Sequence, residues 1–191
     1  FFRTQIAEGS MLPSGKMPYE VFIPAYRDEI LSDTVMVYGN VDEVELVLNG
    51  KTIRRQTADK GPDSDYIPVP NGGNGKNLHF PPFTFYGVPK ERGVLKAVGY
   101  HQGKKVAEYT VKTPGVPERL DITYFESGKP ATKNDLLIVY VRMLDKQGVL
   151  CPVNGIPVEL SVQGGEIVGP TSYPLEAGVA SFLVRTGEIS K

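Results

Sequence analysis

Three aspartates, Asp59, Asp63 and Asp65, lie close enough together to suggest a calcium loop. The segment lacks the glycine and the terminal bidentate glutamate that an EF-hand needs at fixed offsets, so a solvated loop is the better reading. Glu43 and Glu45 alternate with Val44 and Leu46, which puts both carboxylates on the solvent side of an extended segment, and Asp145 falls in a turn. None of these is arranged as the pair of carboxylates flanking one bond that glycoside hydrolysis requires. His79, His101 and Cys151 have no metal-ligand spacing, so neither a metal site nor a cofactor is expected. With no histidine set beside it by a motif, Cys151 reads as a small buried apolar side chain rather than a nucleophile. The glycine-rich run at 72–75 lacks the Lys-Ser/Thr ending of a phosphate cradle.

Aromatic residues are the remaining candidates. Tyr66, Phe80, Phe83, Phe85 and Tyr86 gather in or beside a long irregular stretch, residues 56–92. Flat rings with a polar handle can stack on a sugar face or pack on a neighbouring domain, and Tyr26, Tyr66 and Tyr86 are the candidate contacts for either. Phe83 and Phe85, alternating around Thr84, read instead as a short strand that closes a sandwich.

The elements that must position these groups are strands. Along VMVYGNVDEVELVLNGK, residues 35–51, Val44, Leu46 and Leu48 share one face, the period of a half-buried strand. Asn49-Gly50 supplies the positive φ angles of a two-residue hairpin turn, a register that sets Leu46 opposite Ile53. Leu95, Ala97 and Gly99 share a face in a second hairpin turning at Gln102-Gly103. Thr113-Pro114-Gly115-Val116-Pro117 has two residues without an N–H and marks a domain boundary. Beyond it, Leu120, Ile122 and Tyr124, then Leu137, Val139, Val141 and Met143, then Val158, Leu160 and Val162, and last Ala180, Phe182 and Val184 form further apolar faces separated by turn signals. The reading is all-β: two tandem immunoglobulin-like β-sandwich domains, at residues 19–114 and 115–191, after a linker at 1–18. An immunoglobulin-like sandwich has about seven strands, and the second domain shows five or six, so its last strand is missing. Ala180 to Arg185, or a neighbouring strand, is then expected as an open edge available for self-association.

Composition narrows the function classes. A net charge of −1, from 21 basic and 22 acidic residues, leaves no footprint for nucleic acid. The longest apolar run, residues 136–141, is far short of the about 20 residues of a membrane helix. A single cysteine excludes an internal disulfide.

The run at 35–51, followed by FPPFTF at 80–85 and GVLKAVGYHQGKKVAEYTVKTPG at 93–115, resembles a domain C-terminal to the catalytic barrel in bacterial family 2 glycoside hydrolases of β-galactosidase type. ERLDITY at 118–124, DLLIVYVRMLDKQG at 135–148 and VELSVQGGEIVG at 158–169 resemble the bacterial immunoglobulin-like domain that often follows it. FFRTQ at 1–5 is similar to the end of the last barrel helix, which would make it a remnant of the preceding catalytic domain. The resemblance implies a parent that is a retaining β-glycosidase, exported or periplasmic, with its catalytic barrel as the partner of this region. The family's acid/base is the Glu of an Asn-Glu dipeptide, and no Asn-Glu occurs in these 191 residues, so no catalytic residue carries over. Three functions stay open: an accessory region that buttresses the barrel and shapes substrate access, a carbohydrate-binding module acting on oligosaccharide through its aromatics, and an adhesion or spacer module of a cell-surface protein.

Overall fold

A computed structural model describes residue 4 and residues 19–24, 33–59, 80–124 and 131–187. The chain divides into two units, Phe1–Thr113 and Pro114–Lys191. Among the described residues there is no α-helix, and every strand pairing is antiparallel.

The first unit is a sandwich of two sheets. Strands β1 (Val21–Phe22), β2 (Val35–Gly39) and β5 (Phe83–Phe85) form one sheet in the order β1-β2-β5. Strands β3 (Glu43–Leu48), β4 (Lys51–Thr57), β6 (Val94–His101) and β7 (Lys104–Lys112) form the other in the order β4-β3-β6-β7. Val37, Phe83 and Phe85 from the first sheet meet Val44, Leu46, Leu95 and Ala97 from the second in one buried cluster. The period of two therefore does what alternation implies: Leu46 is fully buried while Glu45, its neighbour, faces outward. Phe83 and Phe85 close the sandwich by pairing with β2, as their spacing around Thr84 suggests. The irregular stretch is shorter than its composition implies, since β4 runs on to Thr57 and β5 interrupts it.

The hairpin turn forms with Asn49 at φ 51° and Gly50 at φ 80°. Its register differs from the simple expectation. Leu48 pairs with Lys51 and Val47 with Thr52, but Leu46 pairs with Arg54, because a bulge leaves Ile53 as the extra residue. Ile53 still packs on the core, which is the reason the bulge is useful: it turns an apolar side chain inward on an edge strand otherwise made of polar residues.

In the second unit, β8 (Pro117–Tyr124), β9 (Leu136–Asp145), β11 (Gly165–Ile167) and β13 (Val179–Thr186) form a sheet in the order β11-β13-β9-β8. Strands β10 (Pro157–Glu159) and β12 (Ser172–Pro174) make a second, two-stranded sheet. The core gathers Val141, Ala180, Phe182 and Val184 from the larger sheet under Val158, Leu160 and Leu175. One expectation is corrected here. The strand carrying Ala180 to Arg185 is not an open edge, because β13 is flanked by β9 on one side and β11 on the other; among the described residues the edges of that sheet are β8 and β11, and β11 is the neighbouring strand the expectation gave as its alternative.

Candidate functional site

The outward face of the β4-β3-β6-β7 sheet carries a linked cluster of polar and charged side chains. Adjacent strands bring Glu43 opposite both Tyr100 and Thr57, and Glu45 opposite Arg55 and Val98. The Tyr100 hydroxyl donates to Glu45 Oε2 at 2.7 Å, and Thr52 Oγ1 donates to Glu45 Oε1 at 2.6 Å. Arg55 lays its guanidinium 3.7 Å from the centre of the Tyr100 ring and pairs with Glu43 at 2.5 Å. The hydrogen bond from Thr52, then that from Tyr100, holds the Glu45 carboxyl below the ordinary glutamate value, and the same bond raises the Tyr100 phenol. A general acid in glycoside hydrolysis needs the opposite, a carboxyl whose pKa is raised so that it keeps its proton. This cluster is a cross-strand brace, and within it the Glu45 carboxyl is held toward its ionised form.

The remaining sequence candidates are occupied in the same way. Asp59 accepts the Thr84 N–H at 3.2 Å and the Thr84 hydroxyl at 2.6 Å, so it anchors β5. Asp63 and Asp65 lie outside the described residues. Among the described residues, no three His, Cys, Asp or Glu converge as a metal site. His101 pairs through Nδ1 with Asp42 at 3.1 Å and stacks on Tyr19, with ring centres 4.7 Å apart. Asp42 also accepts the Gln102 N–H, which lowers its pKa and ties the hairpin turn to the sheet. Cys151 is a free thiol buried beside the Gly115 and Val149 carbonyls, and burial pushes its pKa up, which is the reverse of what a nucleophile requires.

Asp145 lies at the turn where the sequence puts it, but it is buried. It is 3% exposed and accepts three backbone N–H groups, from Gly115, Gln147 and Val149. The turn at Asp145-Lys146-Gln147-Gly148 was the sequence signal available, but the partner Gly115 stands 30 residues away, and no local pattern names it.

Of the aromatic candidates, Tyr26 and Tyr66 lie outside the described residues, and Tyr86 is 44% exposed at the end of β5. Sequence reasoning missed a different group. Tyr19, Glu20, Phe22, Glu108 and Tyr109 line an open cleft of about 480 Å³ between β1 and β7. Its rings pack on other rings: Phe22 meets Tyr109 edge to face at 5.1 Å and 67°, and Tyr19 covers His101. They are not coplanar as a sugar-stacking platform would be.

Comparison with known proteins gives this geometry its family. Residues 32–107 match a family model described as a domain of unknown function (DUF4982). A β-galactosidase from Thermoanaerobacter pseudethanolicus is 30% identical over 86% of this chain, which spans only 22% of that relative's length. A β-galactosidase from Rhizobium radiobacter is 30% identical over 57% of this chain and 78% of its own length. The fold is shared with a β-glucuronidase from glycoside hydrolase family 2, with a TM-score of 0.67, 21% identity, 91% of this chain covered and 18% of that one. The chain belongs to the β-galactosidase-type glycoside hydrolases of family 2, and within them it is an accessory β-sandwich region.

Proposed function

We propose that this chain is the C-terminal accessory region of an enzyme that hydrolyses β-galactosides or related β-glycosides, where its sandwiches buttress the catalytic barrel and shape access to the substrate. One observation carries the reading: most of the chain aligns with a β-galactosidase and spans 22% of that relative's length. The described carboxylates are in keeping with it, because Glu43, Glu45, Asp59 and Asp145 each pair with a cation or accept hydrogen bonds inside their own unit.

The test has two arms. The chain alone, assayed on aryl β-galactoside and β-glucuronide, is expected to show no turnover above a buffer blank, and turnover that survives repurification overturns the non-catalytic reading. In the parent enzyme, deletion of this region is expected to lower the melting temperature of the catalytic domain, and an unchanged melting temperature overturns the buttressing role.

The carbohydrate-binding reading has the cleft at Tyr109 in its favour, since aromatic rings and the carboxylates of Glu20 and Glu108 border it. Titration with galacto-oligosaccharides separates the two: saturable binding lost in Tyr109→Ala supports the module, and no heat of binding leaves the accessory reading.

A further inference from the structure

An asparagine followed by glycine is the dipeptide most open to loss of its side-chain amide, because glycine leaves its own backbone nitrogen unshielded beside the carboxamide. The chain carries that dipeptide at 49–50, 71–72, 74–75 and 154–155, and the middle two lie outside the described residues. Asn49 and Gly50 are both exposed, so water and base reach them. The reaction needs nothing else. The Gly50 nitrogen gives up its proton to base and bonds to Asn49 Cγ, the Cγ–Nδ2 bond breaks, and the amide leaves as ammonia with a proton from solvent. Water then opens the cyclic imide at one carbonyl or the other, giving aspartate or a β-linked isoaspartate, with no change of oxidation state.

The fold opposes that ring closure at Asn49 in two ways. Asn49 at φ 51° and Gly50 at φ 80° make the mirror image of a type I turn, whose first central residue has a ψ of about +30°. That ψ leaves the next nitrogen on the far side of the Cα–C bond from Cβ, whereas a five-membered ring needs the two on one side. The carboxamide is also tied at both ends: Nδ2 donates to the Arg92 carbonyl at 3.1 Å, and Oδ1 accepts the Val94 N–H at 2.9 Å. The Asn49 N–H donates in turn to the Val94 carbonyl at 2.9 Å. Cγ therefore cannot meet the Gly50 nitrogen until both side-chain bonds and the turn are undone.

Room for this clamp comes from Gly93. A Cβ there would overlap Asn49 Oδ1 and lie 2.7 Å from Asn49 Cγ, and the φ of +138° is one that few side chains adopt. The Gly93 N–H donates to Thr113 Oγ1 at 3.0 Å and its carbonyl accepts the Thr113 N–H at 2.8 Å, so the segment that receives the amide is itself held by the residue after β7. We propose that Asn49-Gly50 is a site of spontaneous deamidation that the folded first unit keeps closed, with Gly93 making room for the clamp, and that the completed reaction stops the clamp from re-forming. An aspartate at 49 has no hydrogen to give the Arg92 carbonyl and sets a negative charge against it, and an isoaspartate adds a backbone atom to a two-residue turn. A chain whose first unit has stayed open is thereby marked chemically and kept from closing as before. Asn154 is held by other means: its Oδ1 accepts the Ala177 N–H at 2.7 Å, and the Gly155 nitrogen, the nucleophile there, donates to the Leu175 carbonyl at 2.9 Å. It belongs to the second unit and serves as an internal reference. The proposal uses the geometry of the hairpin alone and stands or falls separately from the accessory role proposed above.

The test ages the 191-residue chain in mildly alkaline buffer and follows each asparagine by peptide mapping, which reads the gain in mass as the amide becomes an acid. Asn49 is expected to react at least about tenfold more slowly in the folded chain than in urea. Gly93→Ala, which drives the carboxamide from its seat, should speed the reaction at Asn49 by about fivefold or more under folding conditions and leave Asn154 at its original rate. Leu46→Ala keeps every clamp residue but weakens the hairpin that carries the turn, so it too should speed Asn49 and not Asn154, and it gives the answer if Gly93→Ala does not fold. Asn49→Asp, the product made directly, should lower the melting temperature of the first unit. An Asn49 rate that is the same in the folded chain and in urea overturns the proposal, as does one that neither variant raises. An Asn49→Asp chain that melts with the unsubstituted one overturns the claim that the product cannot re-form the clamp.

Discussion

Asp145 Oδ2 accepts the backbone N–H of Gly115 at 2.7 Å, joining the end of β9 to the segment that leads into β8. Its Oδ1 takes the N–H groups of Gln147 and Val149, both at 2.8 Å, so one carboxylate fixes a turn and a distant strand entry together. The Gly115 bond and then the Val149 bond outweigh burial and hold its pKa below the ordinary value. The unfolded chain then binds more protons than the folded one below about pH 4, so this contribution is complete above that pH and is lost as pH falls through the folded pKa. Asp145→Asn should therefore lower the melting temperature of the second unit at pH 7, and the gap from the unsubstituted chain should narrow as the pH is brought from 5 to about 2. A gap that stays constant with pH would mean that the charge plays no part.

Leu46 is fully buried at the centre of the first sandwich, and Leu46→Ala should cost about 2–5 kcal/mol in urea melts. Glu45→Ala should not be silent, although the residue faces solvent, because it strands the Tyr100 and Thr52 hydroxyls. Partly exposed hydrogen bonds of this kind are worth about 1 kcal/mol or less in all. Equal losses from the two substitutions would show that the register described for β3 is wrong.

Gly178 has φ +83°, and a Cβ there would stand 2.1 Å from the Cys151 carbonyl oxygen. Gly155 has a similar φ of +77° but open space around it. Gly155→Ala should cost roughly 1–2 kcal/mol from backbone conformation alone, and Gly178→Ala about 4 kcal/mol or more, since backbone must also move. Comparable melting temperatures for the two variants would remove the steric argument.

Cys151 is 2% exposed and is the chain's one thiol, so it reports on the second unit by itself. With its pKa raised by burial, it should react with an aromatic disulfide at least about a hundredfold slower in the native chain than in urea. Leu46→Ala, which weakens the first unit, should leave that native rate unchanged. Rapid labelling under native conditions would contradict the burial described here.

Much of the fold is written in local alternation. A period of two names the inward side of a strand without reference to its neighbours, which is why Leu46, Leu95, Phe83, Phe182 and Val184 are all buried where the pattern puts them. Asn49-Gly50 likewise specifies its turn, because few other residue pairs accept two positive φ angles. The outward side of Glu43 and Glu45 was legible for the same reason, since both alternate with core residues.

What the sequence did not disclose depends on partners far along the chain. The bulge that makes Ile53 the extra residue follows from packing an edge strand onto a core that other strands build. The burial of Asp145 depends on Gly115, and the brace at Glu45 on Tyr100, 55 residues away. Leu120, Ile122 and Tyr124 show the limit most plainly. Their alternation correctly assigns them to the core side of β8, opposite Met143, Val141 and Val139, yet all three are exposed, because whether that side is covered depends on the strands of the opposing sheet. Periodicity records which way a side chain points from its own backbone. Burial is a property of two surfaces, and only the tertiary structure shows whether the second one is there.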